Sequence, residues 1–289
     1  MDILSSLGNV ISSTVSTVAS GISRGLSALG GALSSFASSA VGIIGKIAAK
    51  AASFVGLLST LPLGPLGPIL GPIIGQIILK VVAKGIECLA KKLGIIKDKD
   101  EVEEVGYRIE EAQQHEEWKK QEDFNTFEEY YEYLKMQIPD EKIDYAKIKE
   151  NRNRYMVIGT MELTKGVEEI KGIQLPEDFL FEIGRSRMET DEIRAIIDAF
   201  KEIGYASVMV SDYFKGKLSR DESKRVEGAL LANMKKYYPG KDDDTLYERL
   251  GVMRMASRND SKLEDIYSDK ITEDNMEKIA KDPKYVEEL

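Results

Sequence analysis

One cysteine, Cys88, and one histidine, His115, in 289 residues exclude an internal disulfide and any zinc site built from cysteines. Redox and metal chemistry are thereby left without their usual ligands. Aromatic residues are nearly missing from the first third, since 20 of the 22 lie after residue 97. Charge is scarce there too. Residues 1–97 carry Arg24, Lys46, Lys50, Lys80, Lys84, Lys91, Lys92 and Lys97 against Asp2 and Glu87, a net of +6, so the total of −9 leaves −15 for residues 98–289. Four of the eight prolines lie between 62 and 72, and fourteen of the 24 glycines precede residue 98. A chain of this length has room for about two domains, and the composition divides it at 97/98 into a weakly basic head and an acidic body.

The start of the chain lacks the marks of a cleaved secretory leader. Asp2 stands where a basic segment is needed, and serine interrupts the apolar stretch every few residues. The expectation is a protein that is secreted or particle-borne without a cleaved signal, and membrane-associated after delivery.

What the head does have is periodicity. Leu4, Leu7, Ile11, Val15, Val18, Ile22, Leu26, Leu29, Leu33, Phe36, Ala40, Ile44, Ile47, Ala51, Phe54 and Leu58 recur at steps of three and four, the period of an α-helix. The face opposite is serine, threonine and glycine, and Arg24 is the only charge between Asp2 and Lys46. Such residues are mediocre helix formers, so the segment needs an apolar surface to become a helix. Bulky apolar residues opposite serine and glycine resemble the lipid-packing-sensor type of amphipathic helix, which implies binding to a bilayer by apolar burial rather than by charge. Side-by-side packing of several copies is the other way to cover the ridge, because small residues let helix axes approach closely. Packing of the ridge on the chain's own soluble domain is the third.

Residues 51–79 contain no charge, enough to cross a bilayer core of about 30 Å if helical throughout. Pro62, Pro65, Pro68 and Pro72, interleaved with Gly64, Gly67, Gly71 and Gly75, argue instead for an apolar turn or extended tip over 61–75. Helical spacing then returns through Ile73, Ile74, Ile77, Ile78, Val81, Val82, Ile86, Leu89 and Leu93, with Gln76, Lys80, Lys84, Glu87 and Lys91 as one polar stripe and Gly94 as its stop. A basic stripe suits an anionic membrane, or equally this protein's own acidic body. The head therefore reads as a helical hairpin of 1–97. Its expected membrane-binding residues are Leu26, Leu29, Leu33, Phe36, Ile44, Ile47, Phe54, Leu58, Pro65, Pro68, Pro72, Ile77, Lys80, Lys84 and Lys91. Elements of this kind resemble those of colicin-like and other glycine-rich bacterial membrane toxins, and of the membrane-penetrating proteins carried inside some virus and phage particles.

The body, 98–289, reads as all-α after a charged linker at 97–104. Thr126 with Glu129 and Ser219 with Glu222 match the capping box and place helix starts at 127 and 220. Residues 191–203 carry Ile193, Ile196, Ile197, Phe200 and Ile203 on one face and end at Gly204. The run 155–158 is the one candidate strand, too isolated to argue for a sheet.

No phosphate loop, nucleophile elbow, dinucleotide fingerprint or paired histidines are present. Asp242, Asp243 and Asp244 lack the glycine and terminal glutamate of a calcium loop. No catalytic residue, metal, cofactor or small-molecule substrate is therefore assigned, and a body at −15 repels nucleic acid. The sequence points to a delivered, non-enzymatic, membrane-active protein, either a bacterial effector or toxin or a virion component. Its expected partners are a lipid bilayer and further copies in a homo-oligomer or larger assembly. The competing expectation is a structural protein, such as a plug of a phage tail or injection machine, whose N-terminal helix packs against protein.

Overall fold

The computed structural model describes residues 50–51, 53–54, 56–58, 67–204, 208–258, 267–272, 274–275 and 278, with the backbone alone for 67–72 and 208. The ridge from 4 to 47 and the tip residues Pro62 and Pro65 lie outside the described residues. Within them the protein is all-α, without a strand. Among the described residues, helical positions 50, 51, 53, 54 and 56–58 precede ten α-helices: α1 (Gly67–Lys92), α2 (Val102–Ala112), α3 (Phe127–Gln137), α4 (Tyr145–Glu150), α5 (Arg152–Lys171), α6 (Glu177–Arg185), α7 (Thr190–Ile203), α8 (Val208–Lys215), α9 (Arg220–Tyr237) and α10 (Asp243–Arg258).

Helix α1 is the hub. Ile73, Ile74, Ile77, Ile78, Leu79, Val82, Ala83, Ile86, Leu89 and Ala90 are all buried, covering nearly the whole circumference, as expected of a helix enclosed by others. It packs on α5, α6 and α7 and touches α2. The extended tip expected over 61–75 is corrected at its distal half, because α1 already begins at Gly67. Pro68 falls in the first turn, where a missing N–H would be unpaired in any case, so only Pro72 removes an interior bond. The stop at Gly94 is a Schellman turn: Gly94 takes φ 75°, its N–H donates to the Lys91 carbonyl, and the N–H of buried Ile95 donates to that of Ala90.

The residues expected to be a charged linker are built into the fold. Asp100 is 1% exposed, where its carboxylate accepts from the Lys97 N–H and from Lys135 Nζ at 2.8 Å. One apolar cluster contains Ala51, Phe54 and Leu58, the ten apolar α1 residues named above, and side chains as distant as Tyr267. The step in charge at 97/98 is thus not a step in packing.

Helices α2 and α5 cross backbone to backbone. A Cβ added at Gly106 or Gly159 would stand 2.0 Å from the carbonyl oxygen of Tyr155 or Val102, so only glycine permits the approach. The candidate strand at 155–158 lies inside α5. Tyr155, Met156, Val157, Ile158 and Gly159 are all buried, and a segment covered on every side shows no amphipathic period. Helix α7 spans Thr190–Ile203 and stops at Gly204 in the left-handed conformation, φ 66°, with its apolar face on α9 and α1.

Candidate functional site

The polar stripe of α1 is where sequence and structure converge on one surface. Gln76, Lys80, Lys84 and Lys91 are at least partly exposed on one side of α1, with Glu87 buried between them. Four of them, Lys80, Lys84, Glu87 and Lys91, form one wall of an open cleft of about 830 Å³. The opposite wall comes from the α1–α2 connection and the start of α2, through Asp98, Lys99, Glu101, Val102 and Glu103. Arg152 and Met156 of α5 close the end.

Glu87 organises the cleft. It is 3% exposed, and its Oε1 accepts from Lys84 Nζ at 2.7 Å and Lys91 Nζ at 2.9 Å, while Oε2 accepts the Val102 N–H at 3.1 Å. Burial alone would raise its carboxyl. The two ammonium groups and the backbone donor outweigh that and hold it below the usual carboxylate value. Lys84 is raised in turn, chiefly by its hydrogen bond to Glu87. Since Val102 starts α2, one carboxylate ties the basic stripe of α1 to the first N–H of the next helix.

Two further charges of the cleft are paired. Arg152 Nε donates to Glu103 at 2.9 Å, and Lys99 bonds Asp140 at 2.5 Å. Loss of hydration, with Glu103, Glu104 and Glu87 nearby, pushes the Glu101 carboxyl up. This is a concave surface of both signs and not the convex basic face that an anionic bilayer attracts.

The expected membrane-binding residues therefore part company. Leu26, Leu29, Leu33, Phe36, Ile44, Ile47 and Pro65 lie outside the described residues, and Pro68 and Pro72 are defined only as backbone of α1. Phe54, Leu58 and Ile77 are 0%, 3% and 3% exposed in the core, so in this structure they offer lipid no surface. Lys80, Lys84 and Lys91 line the cleft. Lysines spaced by four residues beside an apolar face suit a helix docked on acidic neighbours as well as one on lipid, and the first arm of the expected hairpin lies outside the described residues. Among the described residues no helix is long and apolar enough to cross a membrane.

Two buried polar features carried little sequence signal. Arg108, fully enclosed, donates to the Ile138 carbonyl at 3.0 Å, the Tyr131 hydroxyl at 3.1 Å and the Asp140 carboxylate at 2.6 Å, fixing the loop after α3 to α2. Glu162, midway along α5, is 3% exposed, and burial pushes its carboxyl up to about 7. Its Oε2 has no hydrogen-bond partner among the described residues. The hint for each was a lone charged residue within an apolar run. Among the described residues, no three His, Cys, Asp or Glu side chains are grouped so as to hold a metal ion.

No family model matches the chain, and no curated protein or solved structure matches it either.

Proposed function

We propose that this is a membrane-active protein of the effector, toxin or virion-component class, in which the ridge from 4 to 47 lies in the target bilayer and the helical body carries it. The observation that supports the reading is the fate of the ridge where it can be followed. Ala51, Phe54 and Leu58, its last three members, are each at most 3% exposed and sit in the apolar core. The thirteen members before them are of the same kind, with Arg24 as the only charge between Asp2 and Lys46, and need a comparable medium. A bilayer provides one to a helix that buries its apolar side and leaves serine and glycine at the headgroups. With α1 enclosed in the body, the membrane-contacting element narrows from a hairpin to this single segment.

The test is flotation of the full chain with neutral phosphatidylcholine vesicles, with dye leakage as the second readout. Leu29→Lys or Ile44→Lys places an ammonium in the ridge and is expected to abolish association. Unchanged flotation of both variants would remove the ridge from the mechanism.

The same burial favours a second reading, since the medium that covers Phe54 and Leu58 is protein. A structural assembly protein would bury the remaining ridge in a stoichiometric complex, and vesicles would stay intact at any protein concentration.

A further inference from the structure

We propose that the contact between residues 50–58 and the body is a latch that holds the protein in a form with reduced membrane affinity. This inference rests on the membrane reading of the ridge and adds to it a means of control.

The ridge changes owner at Lys50. Immediately before it lie Ile44 and Ile47, assigned to the bilayer; immediately after it, Ala51, Phe54 and Leu58 continue the same spacing and are buried in the body. At the entry point Lys50 Nζ bonds Glu168 Oε1 at 2.7 Å and reaches the Leu175 carbonyl at 3.5 Å. Glu168, near the end of α5, is 8% exposed and also accepts the Leu175 N–H through that oxygen. At the far end, Leu58 lies against α1: a Cβ built on Gly75 would be 3.6 Å from the Leu58 Cβ. Between these two points the segment presents Ser53 and Gly56 outward, so one side of it faces solvent. It is a short helical patch laid on the body from outside, fastened chiefly by Ala51, Phe54 and Leu58, with half-buried Leu57 packed beside them, and by one ion pair.

Phe54 and Leu58 can be in the protein core or in lipid, but not in both. A bilayer that takes the whole ridge must withdraw them, and their docked population lowers the apparent affinity of the ridge for lipid in proportion. Membrane contact and docking compete for the same three side chains, and the Lys50–Glu168 pair is the part of the latch that can be removed without emptying the core.

Two opposed variants of the full chain test this, both read by flotation with neutral phosphatidylcholine vesicles. Glu168→Gln keeps an acceptor for the Leu175 N–H and removes the charge that holds Lys50, so apparent affinity should rise about tenfold as the docked fraction falls. Leu58→Cys with Gly75→Cys, in a Cys88→Ser background, places two sulfurs on Cβ positions within disulfide range and should lock the segment when oxidised. Oxidised protein should float less than the same sample after reduction, by a similar factor. Equal binding by wild type, Glu168→Gln and both redox forms, with Leu29→Lys still abolishing it, would overturn the latch and leave the membrane reading intact. No flotation by any form, the reduced and Glu168→Gln proteins included, would overturn both.

Discussion

Helix α1 and the ridge at 4–58 share an apolar stripe at helical spacing, and their opposite faces differ in kind. That of α1 carries charges that reach fixed partners: Lys84 and Lys91 converge on Glu87, and Lys92 meets Asp191 of α7 at 2.5 Å. That of the ridge is mostly serine, threonine and glycine, short groups that cannot span to a neighbouring helix, with Arg24, Lys46 and Lys50 as its only charges, of which Lys50 reaches Glu168 of α5. The apolar area drives either segment out of water without naming the medium. The polar face supplies that information, because a charge placed to meet one carboxylate favours one docked arrangement over every other. A long apolar helix with a patterned charged edge is therefore read better as the centre of a helical body than as a membrane element, and one with a bland edge is left for lipid or an unspecified surface.

The comparison breaks most visibly at Ile86, which is 0% exposed in the C-terminal half of α1. Ile86→Lys puts an ammonium among apolar side chains and should cost about 4 kcal/mol or more, read as a large shift of the urea midpoint or as failure to fold. Leu29→Lys, in the bland-edged segment, should leave that midpoint in place while removing vesicle association. If Ile86→Lys unfolds at the wild-type midpoint, α1 is not the core.

The next largest effect is a gain. Glu162 has a carboxyl near 7 when folded and an ordinary value near 4.5 when unfolded, so the native state holds the extra proton between these values. Stability from this group falls as pH rises from about 4.5 to 7 and stays low above that. Glu162→Gln removes the cost and should stabilise the protein by roughly 2–3 kcal/mol at pH 8, with the advantage gone at pH 4. Equal unfolding midpoints at pH 8 would show the carboxylate to be solvated.

How much of this could be read beforehand follows from the range of the interactions. Helix starts at 127 and 220 were legible because caps are local: the Thr126 hydroxyl accepts the Glu129 N–H at 3.2 Å, and Ser219 and Glu222 exchange both bonds of the box. At the first of these the Glu129 carboxylate takes the Asn125 N–H instead, so only half of that box forms. The stops at Gly94 and Gly204 were legible for the same reason. The enclosure of α1 was not, since it depends on α5, α6 and α7, and Asp191, the partner of Lys92, lies 99 residues further along the chain. The cleft needed Arg152 brought to Glu103 across 49 residues, which follows from the Gly106–Gly159 crossing and from no motif.

Glu87→Gln sharpens the comparison at the charged edge. The amide still accepts the Val102 N–H but no longer holds Lys91, whose side chain is only 16% exposed, and a loss of about 1–2 kcal/mol is expected at pH 7. Because the folded carboxyl is lowered, the stability it contributes is present above the ordinary carboxylate value and is lost as pH falls through the folded one. Wild type and variant should therefore converge in acid, in urea titrations at pH 7 and pH 3. A difference that persists undiminished at pH 3 would assign the loss to packing and not to charge.

Lys84→Ala carries the smallest effect and separates the two uses of the stripe most cleanly. Its side chain is 69% exposed, and Lys91 remains on Glu87 after its removal, so stability should change by no more than about 0.5 kcal/mol. Were the stripe a membrane-binding edge, deleting one lysine would weaken partitioning onto anionic vesicles by about 1 kcal/mol and leave neutral vesicles unaffected. With the stripe turned into the cleft, the variant and wild type should partition alike on both. A deficit confined to anionic vesicles would return Lys84 to the membrane and show that the polar edge of α1 serves a second surface besides the body.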